Sequence, residues 1–421
     1  MKMNDFFNRL IYITFSFYLV ARLSLLITGY LANNDPAHTA LLLKYFTPAN
    51  INDGLEYLRQ GYEFRVALFI WTAVYFSICI FSNVRVRSFE RLSAISEKRP
   101  YAGLAFLFTD FYAGLSASQL PFLYVLGFLK ERAFGFSNLS LSGWLTLQLK
   151  AQAIELIVSV IIILIIKFTL ERFEKKWHFI LPLTAFVSGL LFLLLLQWVA
   201  LPLFYDISAL KDEKLSGELI AAAAANGVTA EKIEVVDESR YSNHSNAFFT
   251  GFGPWKRIFI CDTLLKNHSR AEVKIVYGHE LGHYISNHEF YGVAIASAAI
   301  FFISLLIKHI APVFGIEPSS LFKGASAAML PLYFILHVCA LFLLAPLENI
   351  ISREFEKAAD MFTLEKIARP EKIEPDYISM NKKLAIDNRS NLEAHPINQF
   401  WFGTHPPAIE RIIMAEKAAA N

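Results

Sequence analysis

The sequence predicts a multi-span α-helical membrane protein that carries a polar α+β domain, and three observations support this fold class. Of the 421 residues, 55% are hydrophobic and only 18% are charged, and the mean hydropathy is +0.41. Several apolar runs reach about 20 residues, the length that a helix needs to cross a bilayer. The composition turns polar at Asp206 and again near residue 350. A soluble protein cannot hide this much apolar surface, so lipid is the expected solvent for much of the chain.

Seven apolar runs are candidate transmembrane helices. They lie at about residues 10–31, 64–84, 102–129, 151–171, 178–204, 292–312 and 325–348. The chain therefore divides into five transmembrane helices (1–205), a polar domain (206–291), two further helices (292–348) and a second polar part (349–421). Arg22, Asp110 and Glu155 lie inside apolar runs. Such residues usually face the bundle interior or a wet cavity; the alternatives are a bundle ion pair or a snorkelling side chain.

Charge and cysteine content exclude several classes of protein. The net charge is +2 without a basic arm, which argues against a nucleic-acid partner. Three scattered cysteines argue against a disulfide framework and against a cysteine zinc site. Basic residues crowd the loops at 85–99 and 167–176. By the positive-inside rule these loops are cytoplasmic and the polar domain is outside, although long domains escape this rule.

The polar domain is predicted to contain helices and short strands. The stretch KDEKLSGELIAAAAANG predicts a helix that ends at Asn226 and Gly227. The segments IEVVD, NAFFTG and RIFICD predict three strands, the last two joined by a turn that is rich in glycine. The tail after residue 350 is predicted to be mostly helical.

The stretch VYGHELGHYISNH, residues 276–288, has the pattern of a zinc-binding helix. Ser269 and Glu272 form a capping-box signature that predicts the start of this helix. His279 and His283 are four residues apart, so they lie on one helix face and can bind the same ion. Neutral imidazole nitrogens suit zinc, and Glu280 is adjacent as the general base for a metal-activated water. A catalytic zinc site of this kind needs a third protein ligand.

The segment SREFEKAAD, residues 352–360, offers that third ligand. Glu356 and Asp360 are four residues apart and share a helix face. Glu356 can complete the metal site, while Asp360 can hold the free ring nitrogen of a ligand histidine. Glu354 is a competing candidate that lacks this spacing to Asp360. The alternative interpretation of the segment is a charged, solvated helix face.

Four motifs together resemble the type I CAAX prenyl endopeptidases, which are integral-membrane zinc metalloproteases. They are HSNAFFTGFGPWKRIFICDTLL (244–265), GHELGH (278–283), SREFEKAAD (352–360) and THPPAIERI (404–412). Two upstream segments, LPFLYVLGFLKERAFGF (120–136) and LPLFYDISALKD (201–212), are also similar to this family. The resemblance spans nearly the whole chain. The chain is more loosely similar to membrane proteases of the HtpX type.

This resemblance implies a specific zinc site. It implies that His279, His283 and Glu356 bind one zinc ion per chain, that Glu280 is the catalytic base and that Asp360 supports a ligand histidine. It also implies a gluzincin-type protease domain and seven helices that enclose a water-filled chamber. In this family the zinc domain faces the cytosol, which is opposite to the orientation that the loop charges predict.

The resemblance also implies how substrate is held. Ser245, Asn246 and Ala247 correspond to an edge strand that pairs with an extended peptide, as a strand edge can do through backbone hydrogen bonds. His405 and Arg411 match the element HPPxxxR and are counted among the catalytic residues. In that element the histidine stabilises the oxyanion of the tetrahedral intermediate.

The expected function is hydrolysis of a peptide bond near the C-terminus of prenylated CAAX proteins. The expected partners are a lipidated peptide or protein substrate and the lipid bilayer. The host would be the inner membrane of a bacterium or the endoplasmic reticulum of a eukaryote. One alternative is a general quality-control endopeptidase of the HtpX type. Another is a catalytically silent scaffold, against which Glu280 and His405 argue, because neither is needed to hold a metal.

Overall fold

The structure is a computed structural model, and it describes residues 36–81, 98–314, 330–390 and 392–420. The single residues 20, 24, 317 and 318 are also described. The predicted span at 10–31, including Arg22, lies outside the described residues except for residues 20 and 24.

Long helices make up the first half of the described chain. They are α1 (Pro36–Leu43), α2 (Pro48–Phe81), α3 (Pro100–Tyr124), α4 (Leu141–Arg172) and α5 (Trp177–Leu195). Helix α3 continues through a π-helical segment, Val125–Lys130, as far as Ala133. Helix α5 continues in the same way through Leu196–Ala200 as far as Phe204. Two long apolar helices therefore extend directly to the polar domain.

Four helices within the described residues are long and apolar enough to cross a membrane. They are Pro100–Ala133, Leu141–Arg172, Trp177–Phe204 and His288–Ile310. These four agree with predicted spans, so the chain is a helical membrane protein. The predicted spans at 64–84 and 325–348 overlap long helices, but part of each lies outside the described residues. The prediction of seven spans is therefore not confirmed.

A small mixed sheet begins the polar domain. Its elements are β1 (Ile207–Ala209), α6 (Glu213–Ala225), β2 (Glu234–Val236), β3 (Ala247–Thr250) and β4 (Arg257–Cys261). The strand order is β1-β2-β4-β3, with β2 and β4 parallel and the other pairs antiparallel. The three predicted strands and the predicted helix are confirmed, whereas β1 was not predicted. Strand β3 lies at one edge of the sheet.

Helices complete the chain after the sheet. They are α7 (Asp262–Asn267), α8 (Arg270–Ile285), α9 (His288–Ile310), α10 (Leu330–Thr363), α11 (Glu374–Asp387), α12 (Pro396–Phe402) and α13 (Ala408–Ala420). Helix α9 runs without a break across residues 291 and 292, and α10 does the same across 348 and 349. Each of these helices therefore joins an apolar stretch to the polar domain without an intervening loop.

Helix α8 lies in the centre of the polar domain. Its residues Ile275, Tyr277 and Leu281 are almost completely buried in a core that also contains Leu219 of α6 and Tyr377 of α11. Burying a large side chain of this kind contributes about 1.5–3 kcal/mol to folding. The helix that carries the HExxH motif is thus fixed by packing along much of its length.

Candidate metal centre

The start of α8 is fixed by the predicted capping box. Ser269 Oγ accepts a hydrogen bond from the Glu272 backbone N–H (3.2 Å), and Glu272 Oε2 accepts one from the Ser269 N–H (2.8 Å). Lys383 and Ser379 of α11 also bond the Glu272 carboxylate, at 2.8 and 2.7 Å. These bonds tie the first turn of α8 to α11, and they set where His279 and His283 lie two turns later.

Two glycines in the motif GHELGH allow α8 to approach α10 closely. A Cβ atom at Gly282 would lie 3.0 Å from the Cα atom of Ala359 and 3.2 Å from its carbonyl oxygen. A Cβ atom at Gly278 would lie 2.8 Å from Ile367 Cγ1. Because backbone meets backbone at Gly282, the side chain of Glu356, one turn before Asp360 on α10, reaches the two histidines.

Three potential ligands converge at this contact. The Nε2 atoms of His279 and His283 are 3.1 Å apart. The Glu356 carboxylate lies 3.2 Å from the first and 3.4 Å from the second. All three residues are buried, and they form a group that could hold a metal ion. Glu354, the competing candidate, is exposed and pairs with Lys357 at 2.8 Å, so α10 directs Glu356 and not Glu354 to the histidines.

The spacing of these atoms fits zinc. Ligand atoms about 2.0–2.1 Å from a tetrahedral zinc are roughly 3.3 Å apart, which agrees with the three separations observed here. Two histidines and one carboxylate also form the ligand set of a catalytic zinc site with one open position. The residues present therefore fit the metal that the motif implies.

Asp360 and Arg411 lie behind His279. His279 Nδ1 is 2.9 Å from Asp360 Oδ1, which leaves Nε2 free to face the metal position. Arg411 donates a hydrogen bond to the same Asp360 oxygen. Although burial raises the pKa of Asp360, the charges of Arg411 and His279 hold it below the usual value. Arg411 was predicted among the catalytic residues, and it contacts this buried pair at the rear of the histidine.

His288 contacts the Nδ1 atom of His283, as Asp360 contacts the Nδ1 atom of His279. His288 was not predicted from the sequence. Its Nδ1 atom is 2.7 Å from His283 Nδ1, and its ring stacks on Phe355 with 4.2 Å between centroids. If His283 donates from Nδ1, its Nε2 atom carries the free lone pair that a metal needs. The only signal was the third histidine within VYGHELGHYISNH, because the turn between α8 and α9 is what brings His288 back to His283.

Glu280 lies between the metal position and the sheet edge. Its Oε2 atom accepts a hydrogen bond from the backbone N–H of Phe249 in β3 (3.1 Å). Burial raises the pKa of Glu280 to about 7. A carboxylate with a pKa near the working pH is suited to take a proton and return it.

His405 lies on the open side of the metal position. Its Nε2 atom is 3.4 Å from Glu356 Oε1, and its side chain is 64% exposed. Thr404 Oγ1 is 2.8 Å from His405 Nδ1, and Gln399 donates a hydrogen bond to the His405 carbonyl (2.8 Å). The imidazole is therefore held beside the ligands while one of its faces remains accessible from solvent.

The predicted substrate segment lies at the start of β3. Ala247 is the first residue of β3, whereas Ser245 and Asn246 precede the strand. Asn246 directs its carbonyl into the sheet, where it accepts a hydrogen bond from Cys261 N–H (3.0 Å). Both backbone groups of Ser245 bond the side chain of Asn388, at 3.1 and 2.9 Å. Of the three residues, Ala247 lies in the edge strand itself.

Comparisons with known proteins agree with this geometry. A family model described as peptidase family M48 matches residues 209–419. A second model, described as the CAAX prenyl protease N-terminal region with five membrane helices, matches residues 31–206. Together the two models cover most of the chain, and the boundary between them lies close to Asp206.

Individual relatives lead to the same group of proteins. CAAX prenyl protease 1 of Saccharomyces cerevisiae is 28% identical over 312 residues, which are 70% of this chain and 68% of that protein. The metalloprotease YhfN of Bacillus subtilis, described as uncharacterized, is 28% identical over 301 residues, 69% and 68% of the two chains. The crystal structure of S. mikatae Ste24p aligns with a TM-score of 0.72 at 22% identity and covers 95% of this chain and 97% of that one. This structural match shows a common fold.

Proposed function

This chain belongs to peptidase family M48 and is a membrane metalloprotease, and we propose that it hydrolyses a peptide bond near the C-terminus of prenylated CAAX substrates. The observation that carries this proposal is the position of Glu280, which lies between a buried His279–His283–Glu356 group and the edge strand β3. A base, a metal position and a peptide-binding edge are thus adjacent. The Saccharomyces cerevisiae relative, which matches over 68% of its length, is named CAAX prenyl protease 1.

We assign one zinc ion per chain to His279, His283 and Glu356. A zinc ion held there supplies Lewis acidity, which activates a water molecule and polarises the scissile carbonyl. Asp360 and His288 fix the rings of the two histidines through their Nδ1 atoms, as outer carboxylate and imidazole groups do in metal sites. Arg411 keeps Asp360 ionised and acts as a positioning residue.

The remaining residues handle protons and charge. Glu280 takes a proton from the attacking water and passes it to the leaving amine, because one carboxylate oxygen can serve both steps. His405 donates a hydrogen bond to the oxyanion of the tetrahedral intermediate, which is worth roughly 3–4 kcal/mol of the barrier for a preorganised donor. Backbone groups of β3, beginning at Ala247, hold the peptide as an added strand.

The membrane part of the protein supports a lipid-bearing substrate. Helices α9 and α10 carry apolar stretches directly to the metal residues, so a substrate anchored in lipid would meet the site without leaving the membrane. We propose seven transmembrane helices around a water-filled chamber, with a gluzincin-type domain formed by residues 206–291 and 349–421. A polar chamber would accommodate Asp110 within α3 at lower cost than lipid would.

Cleavage of paired peptides tests this function. Detergent-purified protein loaded with zinc is incubated with a farnesylated CAAX peptide and with its unprenylated twin, and the products are identified by mass spectrometry. We expect cleavage of the farnesylated peptide alone, and a loss of more than about a hundredfold in Glu280→Gln, which keeps the shape of the side chain but not the base.

The other outcomes separate the alternatives. Equal cleavage of both peptides would support a general quality-control protease of the HtpX type. No cleavage of either peptide by protein that binds one zinc per chain would overturn the CAAX assignment and revive the scaffold alternative. Metal analysis of wild type and Glu280→Gln controls for loss of zinc.

A further inference from the structure

The backbone groups of β3 face two sides in strict alternation. Asn246 pairs with Cys261 of β4 through a hydrogen bond, and the antiparallel register continues with Phe248 opposite Phe259. In an antiparallel ladder every second residue bonds the neighbouring strand, and the residues between direct their N–H and C=O groups to the other side. Residues 245, 247, 249 and 251 therefore present their backbone groups to the open edge.

One end of this open edge is closed by Asn388 at the end of α11. Its Oδ1 atom accepts a hydrogen bond from Ser245 N–H (3.1 Å), and its Nδ2 group donates one to the Ser245 carbonyl (2.9 Å). This pair of bonds imitates the pairing of a neighbouring strand. His244 Nδ1 lies 3.1 Å from the same Oδ1 atom, which fixes the orientation of the amide. Because both backbone groups of Ser245 are already bonded to Asn388, an added strand cannot pair with them.

The other end is closed by two carboxylates. Glu280 Oε2 accepts from Phe249 N–H (3.1 Å), and Glu289 Oε2 at the start of α9 accepts from Gly251 N–H (2.7 Å). Among the described residues, the groups of β3 left for an added strand are the N–H and C=O of Ala247 and the C=O of Phe249, because Gly251 lies beyond the end of the strand with a φ of +105°. The Ala247 side chain belongs to the core of the domain, so this residue offers its backbone and not its side chain.

We propose that Asn388 is a specificity-determining residue that ends the peptide-binding edge at Ala247. A substrate then donates only two backbone N–H groups to β3, one to the Ala247 carbonyl and one to the Phe249 carbonyl. These two N–H groups are separated by one substrate residue, whichever way the peptide runs. The protease therefore recognises a short stretch of extended substrate backbone at β3. Any further selectivity for substrate must come from residues outside this strand. This inference rests on the proposed peptidase function.

An N-methyl scan tests the length of this edge. The probes are peptide hydroxamates, which bind zinc whatever the natural substrate is, each with one backbone N–H replaced by N–CH₃. Their inhibition of peptide cleavage and their shift of Tm are measured on the full-length, zinc-loaded protein. We expect two sensitive positions in the wild type, separated by one residue, each weakening binding roughly three- to tenfold, the weight of one hydrogen bond.

Variants of Asn388 give the decisive comparison. Asn388→Ala frees the Ser245 carbonyl, and we expect a third sensitive position two residues beyond the first pair. Asn388→Asp has the same shape and keeps the space beside Ser245 filled, so we expect the two-position pattern of the wild type to persist. Asn381→Ala is the matched control: it removes a buried amide of α11 that bonds Tyr377 and makes no bond to β3.

The outcomes distinguish this inference from the proposed function. An unchanged two-position pattern in Asn388→Ala would overturn the role of Asn388, even if prenylated peptides are cleaved. A third position that also appears in Asn381→Ala would overturn it as well, since loosening of α11 would then be the cause. If the farnesylated peptide is not cleaved but the hydroxamates show the expected patterns, the CAAX assignment fails and this inference stands. Hydroxamates that do not bind at all would overturn both.

Discussion

Two pairs of helices in this protein meet closely at glycine, one in the membrane part and one at the metal centre. In the first, Gly189 of α5 faces Val293 of α9, where an added Cβ would lie 2.8 Å from a valine methyl group. In the second, Gly282 of α8 faces the backbone of Ala359 in α10 at 3.0 Å. The first contact meets a side chain that can turn, and the second meets a backbone that cannot.

The polar groups that join these two pairs of helices differ more strongly. In the membrane pair, Lys308 lies 3.0 Å from His178, and the lysine is exposed. At the metal centre Asp360 and His279 are buried, the Arg411 side chain is only 13% exposed, and the three residues depend on each other. A buried charge is tolerated only when every partner is present. Close packing thus holds two helices together in the membrane part, whereas at the metal centre it also aligns a reactive group.

The largest expected effect comes from Asp360→Asn. It leaves the largely buried Arg411, whose side chain is 13% exposed, without a counter-ion, so we expect a loss of up to about 3–5 kcal/mol in the free energy of unfolding. Zinc affinity should fall about 10- to 100-fold, because His279 loses the group that orients its ring. The measurements are thermal unfolding in detergent and zinc titration. Lys308→Gln in the membrane pair is the control: this lysine is exposed, so we expect a change below about 1 kcal/mol. Equal losses in the two variants would refute the contrast between the two regions.

Removal of the metal should affect only one of the two regions. An ion that binds the folded state at a thousand times its Kd stabilises it by about 4 kcal/mol, so we expect a chelator to lower Tm. Hydrogen exchange should become faster in α8 and α10 and should stay unchanged in α4 and α5. Exchange that rises equally in all four helices would show that the metal supports the whole fold. Added zinc should restore the original rates.

The two glycines give a smaller and more local test. Gly282→Ala places a methyl group against backbone, and overpacking of this kind costs about 1–3 kcal/mol. It should also lower zinc affinity by moving Glu356 away from the histidines. Gly189→Ala should destabilise less, since Val293 can change its rotamer, and zinc affinity should not change. Metal analysis and Tm of both variants, compared with wild type, check the pair.

The smallest expected effect is a pH dependence at the start of α8. Burial alone would raise the pKa of Glu272, but Lys383 and the Ser269 N–H outweigh it and the pKa is lowered. A lowered folded pKa adds stability above the unfolded value of about 4.3, and this stability is lost as the pH falls through the folded value. Because Lys383 is half exposed, we expect only about 1 kcal/mol.

Glu272→Gln measures this contribution. The difference in unfolding free energy between wild type and variant should shrink as the pH is lowered from 6 toward 3. A difference that stays constant with pH would mean that packing of the side chain, and not its charge, is what α8 requires.

Local rules predicted the parts of the site that depend on neighbours in sequence. The capping box at Ser269, the shared helix face of His279 and His283, and the strands around Val235 and Phe248 all follow from spacing and side-chain type. The choice of Glu356 over Glu354 also agrees with a four-residue spacing, here to Asp360. The number of membrane spans was harder to predict, because an apolar run does not show where a helix begins or how far it extends into the polar domain.

Apolar runs and the spacing of His279 and His283 predicted membrane helices and a metal-binding helix, because both are local properties of the sequence. The resemblance of four motifs to a known family then implied a membrane metalloprotease. Tertiary structure alone decided that His288 turns back to His283, that Arg411 contacts Asp360 across 51 residues, and that Asn388 closes the edge at Ser245 across 143 residues. These contacts join helices and strands that are distant in the chain. They depend on how closely the backbones approach, which no periodicity in the sequence encodes.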